Sequence, residues 1–180
     1  GWGIIDQVTH VAPDRVQIEG DDLLREWRNL LIWSDFSTLE VIESPTVLWW
    51  NGTSFATVTP LTNVTLEDTN SFLYVGYAYP FNIINVDMGA TVNAVSDSDG
   101  SWGFSVEGAD PIGDGWREPT VTDGTEASGA PFAQDGNVEF VKPGNWVQVT
   151  VNGATLYWMR FDPGVDLTPN LRFADIDISI

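Results

Sequence analysis

Two Asn-Gly dipeptides set the terms on which this chain can fold. Residues 47–50 and 55–58 flank Asn51-Gly52, and residues 146–151 and 154–159 flank Asn152-Gly153; all four runs are rich in β-branched and aromatic side chains. Asn-Gly is the pair that most readily places two successive residues at φ > 0, as a type I′ turn demands, and the twist of that turn matches the strands it joins. Both sites therefore predict β-hairpins. Four Asp-Gly pairs, ending at Gly100, Gly115, Gly124 and Gly136, add turn signals spaced roughly ten residues apart, the rhythm of sandwiches and jelly rolls. Further strands are expected at 72–78, 82–88, 137–141 and 171–180. In the last of these Ile176, Ile178 and Ile180 alternate with Asp175, Asp177 and Ser179, so one face is wet. Leu171 and Phe173 fall on the opposite parity, which calls for a bulge near Ala174. Residues 107–131, rich in Gly, Pro and acids, read as a long surface loop.

One segment departs from this pattern. Leu23, Leu24, Trp27, Leu30 and Leu31 recur at helical spacing behind Asp21 and Asp22, which suit the positive end of a helix dipole. This predicts a short amphipathic helix at about 21–34, packed on the core or presented to a partner. The expected fold class is all-β: one domain over 1–180, a sandwich or jelly-roll barrel at about 36–180 with that helix near its start.

Charge narrows the setting. Twenty-six Asp and Glu oppose seven Lys and Arg, for a net charge of −19, and Lys142 is the only lysine. In dilute salt such an imbalance repels itself and weakens the compact state. At molar ionic strength the screening length shrinks to about 3 Å, and the repulsion largely vanishes. With 43% hydrophobic residues, nine Trp and nine Phe, the chain has ample core and is not an acidic disordered segment. The composition is that of a protein of brine. It offers no basic stripe for nucleic acid and nothing for an anionic lipid surface. No apolar run approaches the roughly 18 residues of a spanning helix, and the first twenty residues, with Asp6, Asp14 and Glu19, do not read as a signal peptide. There is no cysteine, hence no disulfide, thiol nucleophile or thiolate metal site.

Catalytic constellations are scarce, and the expectation is a non-enzyme with no catalytic, cofactor-binding or metal-binding residues. His10 is the only histidine. Phosphate loops, nucleophile elbows, dinucleotide fingerprints and zinc-protease helices are all missing from the sequence. Neighbouring carboxylates carry little information in so acidic a chain, although a glycosidase would need such a pair. Asp97-Ser-Asp99-Gly100 opens like a calcium loop but lacks its later ligands, Gly108 standing where the bidentate Glu belongs, so a solvated turn is expected. Asn51-Gly-Thr53 and Asn63-Val-Thr65 match the glycosylation acceptor, the first being explained already by its hairpin. Trp49, Trp50 and Trp158 lie in strand patterns and read as core rather than as a sugar platform.

The second half resembles a β-sandwich module of virus particles. The resemblance rests on Val75-Gly76, Pro80-Phe81, Asp123-Gly124-Thr125, Phe132, the run 135–146 ending in Pro143-Gly-Asn-Trp146, then Asn152-Gly153, Tyr157-Trp158-Met159-Arg160 and Thr168-Pro169. One departure is that the W-N-G motif stands early, at Trp50-Asn51-Gly52, while Asp97–Trp102 occupies its usual place. With the brine composition, the whole chain resembles the smaller major capsid protein of tailless icosahedral haloarchaeal viruses with an internal membrane. That resemblance implies a single jelly roll assembling with copies of itself and a larger sister capsid protein into capsomers, near a viral membrane, without nucleic-acid contact and located in the virion after assembly in the host cytoplasm. Two rival readings are a spike, turret or tail component that binds a receptor or glycan, and a secreted halophilic hydrolase.

The charge generates a first prediction. In dilute neutral buffer the isolated protein loses tertiary structure, and molar KCl restores it; near-ultraviolet circular dichroism during a salt titration reads this directly. A thermal transition that hardly moves between dilute and molar salt contradicts it.

Overall fold

In the computed structural model, residues 7–12, 15–19, 42–57, 61–68 and 70–180 are described. The chain divides into two compact units, Gly1–Glu40 and Val41–Ile180. In the first, β1 (Gln7–Ala12) and β2 (Arg15–Glu19) form an antiparallel hairpin in which His10 stands opposite Val16, with a register shift between His10 and Ala12. The sequence reading placed no strands here, although Pro13-Asp14 between two short alternating runs is a turn-favouring pair. The expected helix at about 21–34 lies outside the described residues.

The second unit is all-β. Its strands are β3 (Ile42–Glu43), β4 (Thr46–Trp50), β5 (Phe55–Thr57), β6 (Leu61–Val64), β7 (Phe72–Tyr77), β8 (Ile83–Met88) and β9 (Ser101–Ser105). There follow β10 (Trp116–Arg117), β11 (Val121–Asp123), β12 (Gly136–Phe140), β13 (Gln148–Val151), β14 (Ala154–Asp162) and β15 (Leu171–Ser179). They make two antiparallel sheets. The larger runs β10-β9-β14-β7-β4-β5 with β13 also on β14; the smaller runs β11-β12-β8-β15-β3 with β6 also on β15. Pairing is nested: β6 pairs with β15, β7 with β14, β8 with β12 and β9 with β10. From β6 to β9 each strand lies in the other sheet from the one before it.

Alternation decides which side chains meet between the sheets. Leu73, Val75, Trp102, Phe104, Met159 and Phe161 from the larger sheet share one core with Ile84, Val86, Val138, Phe173, Ile176 and Ile178 from the smaller. The outline is that of a β-sandwich. The expected bulge is present, since β15 changes register against β8 between Phe173 and Asp175. It lets Leu171 and Phe173 point into the same core as Ile176 and Ile178 despite their opposite parity.

The two Asn-Gly sites differ. Val151 pairs with Ala154, and Asn152 (φ 48°) and Gly153 (φ 82°) form the expected two-residue turn. At the other site Trp50 pairs with Phe55, so the loop spans four residues and only Gly52 of the pair has positive φ (86°). Asn51 instead caps the loop: its Oδ1 accepts hydrogen bonds from Thr53 N (3.0 Å), Thr53 Oγ1 (2.9 Å) and Ser54 N (2.9 Å). The type I′ expectation at Asn51-Gly52 is thus corrected, because the Asn side chain competes with the turn's backbone pairing. The long loop expected at 107–131 is corrected as well. It contains β10 and β11, short edge strands of opposite sheets, and β9 before it was not foreseen.

Where the sheet's backbone meets a ring, glycine is obligatory. Gly76 lies opposite Trp158, and a Cβ there would come within 2.2 Å of the indole. Replacing Gly76 by Ala is expected to cost about 3 kcal/mol through overpacking, read as a lower denaturation midpoint in molar KCl. Gly153→Val should cost about 1–3 kcal/mol for a strained backbone, and Gly144→Val, where φ is ordinary and nothing lies within 4 Å of the added Cβ, clearly less. Equal costs at Gly153 and Gly144 contradict the turn assignment.

Candidate functional site

The most structured polar site of the second unit lies on the outward side of the larger sheet. There β4, β7 and β14 direct Leu48, Phe72, Tyr74 and Trp158 away from the shared core into a second buried cluster, packed by Trp50, Phe55 and Trp116. Arg160 stands on the same side of β14, directly opposite Tyr74, and is itself buried. Its guanidinium carbon lies 4.4 Å from the Phe72 ring centroid and 4.8 Å from that of Trp116. Nη1 donates to the Gly113 carbonyl (2.9 Å), and Nη2 donates to Asp162 Oδ2 (3.1 Å). A planar cation between two rings, with both ends of its fork engaged, is a role that lysine cannot fill.

The segment between β9 and β10 folds over this cation. Tyr74 Oη donates to the Pro111 carbonyl, and Trp116 Nε1 donates to the Asp110 carbonyl (2.8 Å). Three side chains thus pin residues 110–116 to the sheet. Burial holds the Tyr74 phenol well above its ordinary pKa, against the opposing pull of Arg160. Burial also raises Asp162 above the ordinary carboxylate range, with Arg160 lowering it in part and Asp68 and Glu118 adding to the rise.

Beside the Arg160–Asp162 pair opens a cleft of about 260 Å³, floored by Trp102 and Phe161 and edged by Asp97, Glu118, Asp123 and Glu126. A smaller recess of about 80 Å³, lined by Ser101, Glu118, Arg160 and Asp162, borders the same two residues Ser101 and Glu118. Four carboxylates around an aromatic floor invite a catalytic or cation-binding reading, but two of them, Asp97 and Asp123, have both oxygens engaged. Asp97 Oδ1 accepts from Asp99 N (3.2 Å) and Gly100 N (2.7 Å), and its Oδ2 from Gly164 N (3.0 Å). Asp123 Oδ1 accepts from Thr125 N and Oγ1, and its Oδ2 from Trp102 Nε1. These acids tie loops together. Among the described residues no group of three or more His, Asp or Glu side chains is placed to hold a metal ion. In the calcium-like run, Asp97 Oδ1 closes a turn on the backbone N–H groups of Asp99 and Gly100.

The remaining motif residues find structural places. Trp158 is fully buried in the outward cluster, and Trp49 and Trp50 are half-buried against the two cores. Asn63 is exposed at φ 61°, but Val64 after it is buried and Thr65 Oγ1 accepts from Asn170 N (3.3 Å). The Pro143-to-Trp146 motif ends in a buried indole whose Nε1 donates to Ser105 Oγ (3.1 Å) and the Trp158 carbonyl (3.2 Å). Arg160 was quoted in the sequence only as part of a motif; its clamp depends on Trp116 and Gly113, far away in the chain, and no local pattern announces it. No family model, curated protein or solved structure matches this chain.

Two predictions follow from these contacts. Arg160→Lys loses both stacking and the fork, and is expected to destabilise by roughly 2–4 kcal/mol, with the Trp116 emission shifting red as residues 110–116 loosen. Asp162 and Asp177 both bind protons more tightly folded than unfolded; burial is the first cause at each, and at Asp177 the Asp175 charge adds to it. Stability is accordingly favoured in acid and lost as pH rises through these raised values. Thermal midpoints measured downward from neutral pH should rise, and Asp162→Asn should flatten that rise.

Proposed function

We propose that this chain is a structural subunit of a virion shell, a major capsid subunit of a halophilic virus that assembles into capsomers with its own copies and a larger sister protein. The observation that carries the reading is the nested strand pairing. Within β6 to β15 the pairs β6–β15, β7–β14, β8–β12 and β9–β10 lie one inside another, as when one long hairpin is rolled into two sheets, with β13 folding back onto β14 and β11 onto β12. We read this as a jelly roll, an architecture that recurs in viral capsid domains as well as in lectins and cupins. Fold alone does not assign function. The shell reading gains from the residues quoted for the virion module: Trp146, Trp158, Gly76, Asp123 and Thr125 each make a contact that joins distant strands or loops. The −19 charge suits assembly in brine.

The rival readings have weaker support. A glycan- or receptor-binding tip would present aromatic rings on its loops, whereas among the described residues Tyr79 is the only aromatic with most of its surface exposed. A hydrolase would need a positioned pair of acids; of the four in the cleft Asp97 and Asp123 are held by backbone donors, which leaves Glu118 and Glu126 as the pair such a reading would have to use.

Purified particles of the source decide the matter. A shell subunit is present in hundreds of copies, and cryo-electron microscopy places its density throughout the surface lattice. Permanent interfaces of such assemblies commonly bury about 2,000 Å² or more. Density confined to vertices or a tail would favour the spike reading, and absence from particles would return the hydrolase to consideration. Lowering the salt should release the subunit from the particle as its acidic surfaces lose screening.

A further inference from the structure

We propose that the apolar rim at one end of the smaller sheet is a self-association surface on which a second copy of this chain docks. The rim is built by four strand ends lying side by side. Ile42 of β3 pairs with Ser179 of β15, which pairs with Ile83 of β8. Asn82 N then donates to the Ser179 carbonyl, and Phe140 N, at the end of β12, donates to the Asn82 carbonyl. At about 4.8 Å per strand this row spans roughly 15 Å. It carries Ile42 (63% exposed), Ile180 and Val141 (83%), with Tyr79 (65%) from the turn between β7 and β8. Four of the seven large apolar side chains most exposed among the described residues thus gather on one end of the sandwich.

Charge selects the occupant. At the opposite end the connecting loops carry Glu67, Asp68, Asp97, Asp99, Glu126 and Asp166. The outward side of the smaller sheet adds Asp87, Asp175 and Glu139, all exposed. Two copies of a −19 chain repel at those surfaces and meet with least cost at this rim. The rim also holds the chain's only lysine, Lys142, which follows Val141, between two carboxylates: Glu139 opposite Ile83 on β12, and Glu43, which follows Ile42 beside the Tyr77 phenol. A two-fold contact is self-complementary, so it sets Lys142 of each copy toward Glu43 of the other while the apolar residues between them leave water. This inference is independent of the shell reading, since a spike or an enzyme would use the same contact.

Sedimentation velocity of the full chain in molar KCl, from micromolar to submillimolar concentration, tests it. The expected result is a concentration-dependent monomer–dimer equilibrium with Tyr79 protected from hydroxyl radicals in the dimer. Val141→Asp should weaken association about tenfold or more, and so exposed a site should tolerate the change without unfolding. Val92→Asp, at the opposite end, should leave association unchanged. Lys142→Glu should weaken it, and Lys142→Glu combined with Glu43→Lys should restore it. A monomer at all concentrations overturns the proposal, whether Tyr79 is open or is protected within the single chain. A dimer indifferent to Val141→Asp overturns it as well.

Discussion

Strand β14 is paired along both edges and covered on both sides, and the second unit is arranged around that fact. Toward the smaller sheet it contributes Met159 and Phe161; away from it, Trp158 and Arg160. One edge is held from Tyr157 to Phe161 by β7, while the other is shared in tandem by β13 and β9, with the changeover at Trp158. A changeover interrupts the ladder and would strand backbone groups in the core. Ser105 repairs it. Its Oγ accepts from Trp158 N (3.2 Å) and donates to the Val147 carbonyl (2.7 Å), while the Trp146 indole closes the gap from the side. The outward side of β14 needs a different remedy. A glycine at position 76 admits the Trp158 ring, and residues 110–116 are drawn over Arg160. The turn between β13 and β14, the changeover and the folded-over segment are thus consequences of burying one strand completely.

Charge works against this frame everywhere except at Arg160. Across β8 and β15, Asp87 stands directly opposite Asp175, a like-charged cross-strand pair that opposes sheet formation unless salt screens it. Asp177 lies two residues further along the same strand, where burial raises its pKa and the Asp175 charge adds to the rise. The one ion pair between side chains among the described residues is Arg160–Asp162, and its cation is more fully enclosed by rings and a carbonyl than by carboxylate. A buried cation so placed does not rely on the surface field, so the clamp persists at salt concentrations that abolish ordinary surface pairs. The molecule therefore divides its electrostatics: outside, an excess of like charge; inside, one cation held by packing.

What was legible in the sequence was local. The Asn152-Gly153 hairpin, the bulge of β15 at Ala174 and its alternation as far as Ile178 each depend on residues within ten positions of one another and are as read, whereas beyond Ile178 the alternation fails, Ser179 being buried and Ile180 exposed. Where a side chain could choose between partners, the local reading slipped: Asn51 caps a four-residue loop instead of entering a type I′ turn. Strands of two or three residues at sheet edges, such as β10 and β11, carry too little periodicity to stand out from a glycine-rich segment. The nested pairing was beyond reach from pattern alone, because it joins Leu61 to Phe173 and Phe72 to the strand ending at Asp162, across most of the unit. For the site, the acids were visible but their commitment to backbone donors was not. That depends on where Gly164 and Thr125 lie in space.

The same arrangement limits how subunits can meet. The outward side of the larger sheet is occupied by its own aromatic cluster, and that of the smaller sheet is acidic, so neither offers a broad apolar plane to a neighbour. The strands of this unit paired on one side only, β3, β5, β6, β10, β11 and β13, are two to four residues long, and edges of that length supply few backbone hydrogen bonds to an incoming strand. Extension of a sheet across a subunit boundary is therefore a poor basis for assembly here. What remains is the packing of side chains from loops and strand ends. For an acidic chain in brine, that favours contact where carboxylates are sparse and apolar side chains are gathered. The polarity between an acidic end and an apolar rim is what a subunit needs if it is to sit in one orientation within an ordered layer, since each end then has a different preferred environment.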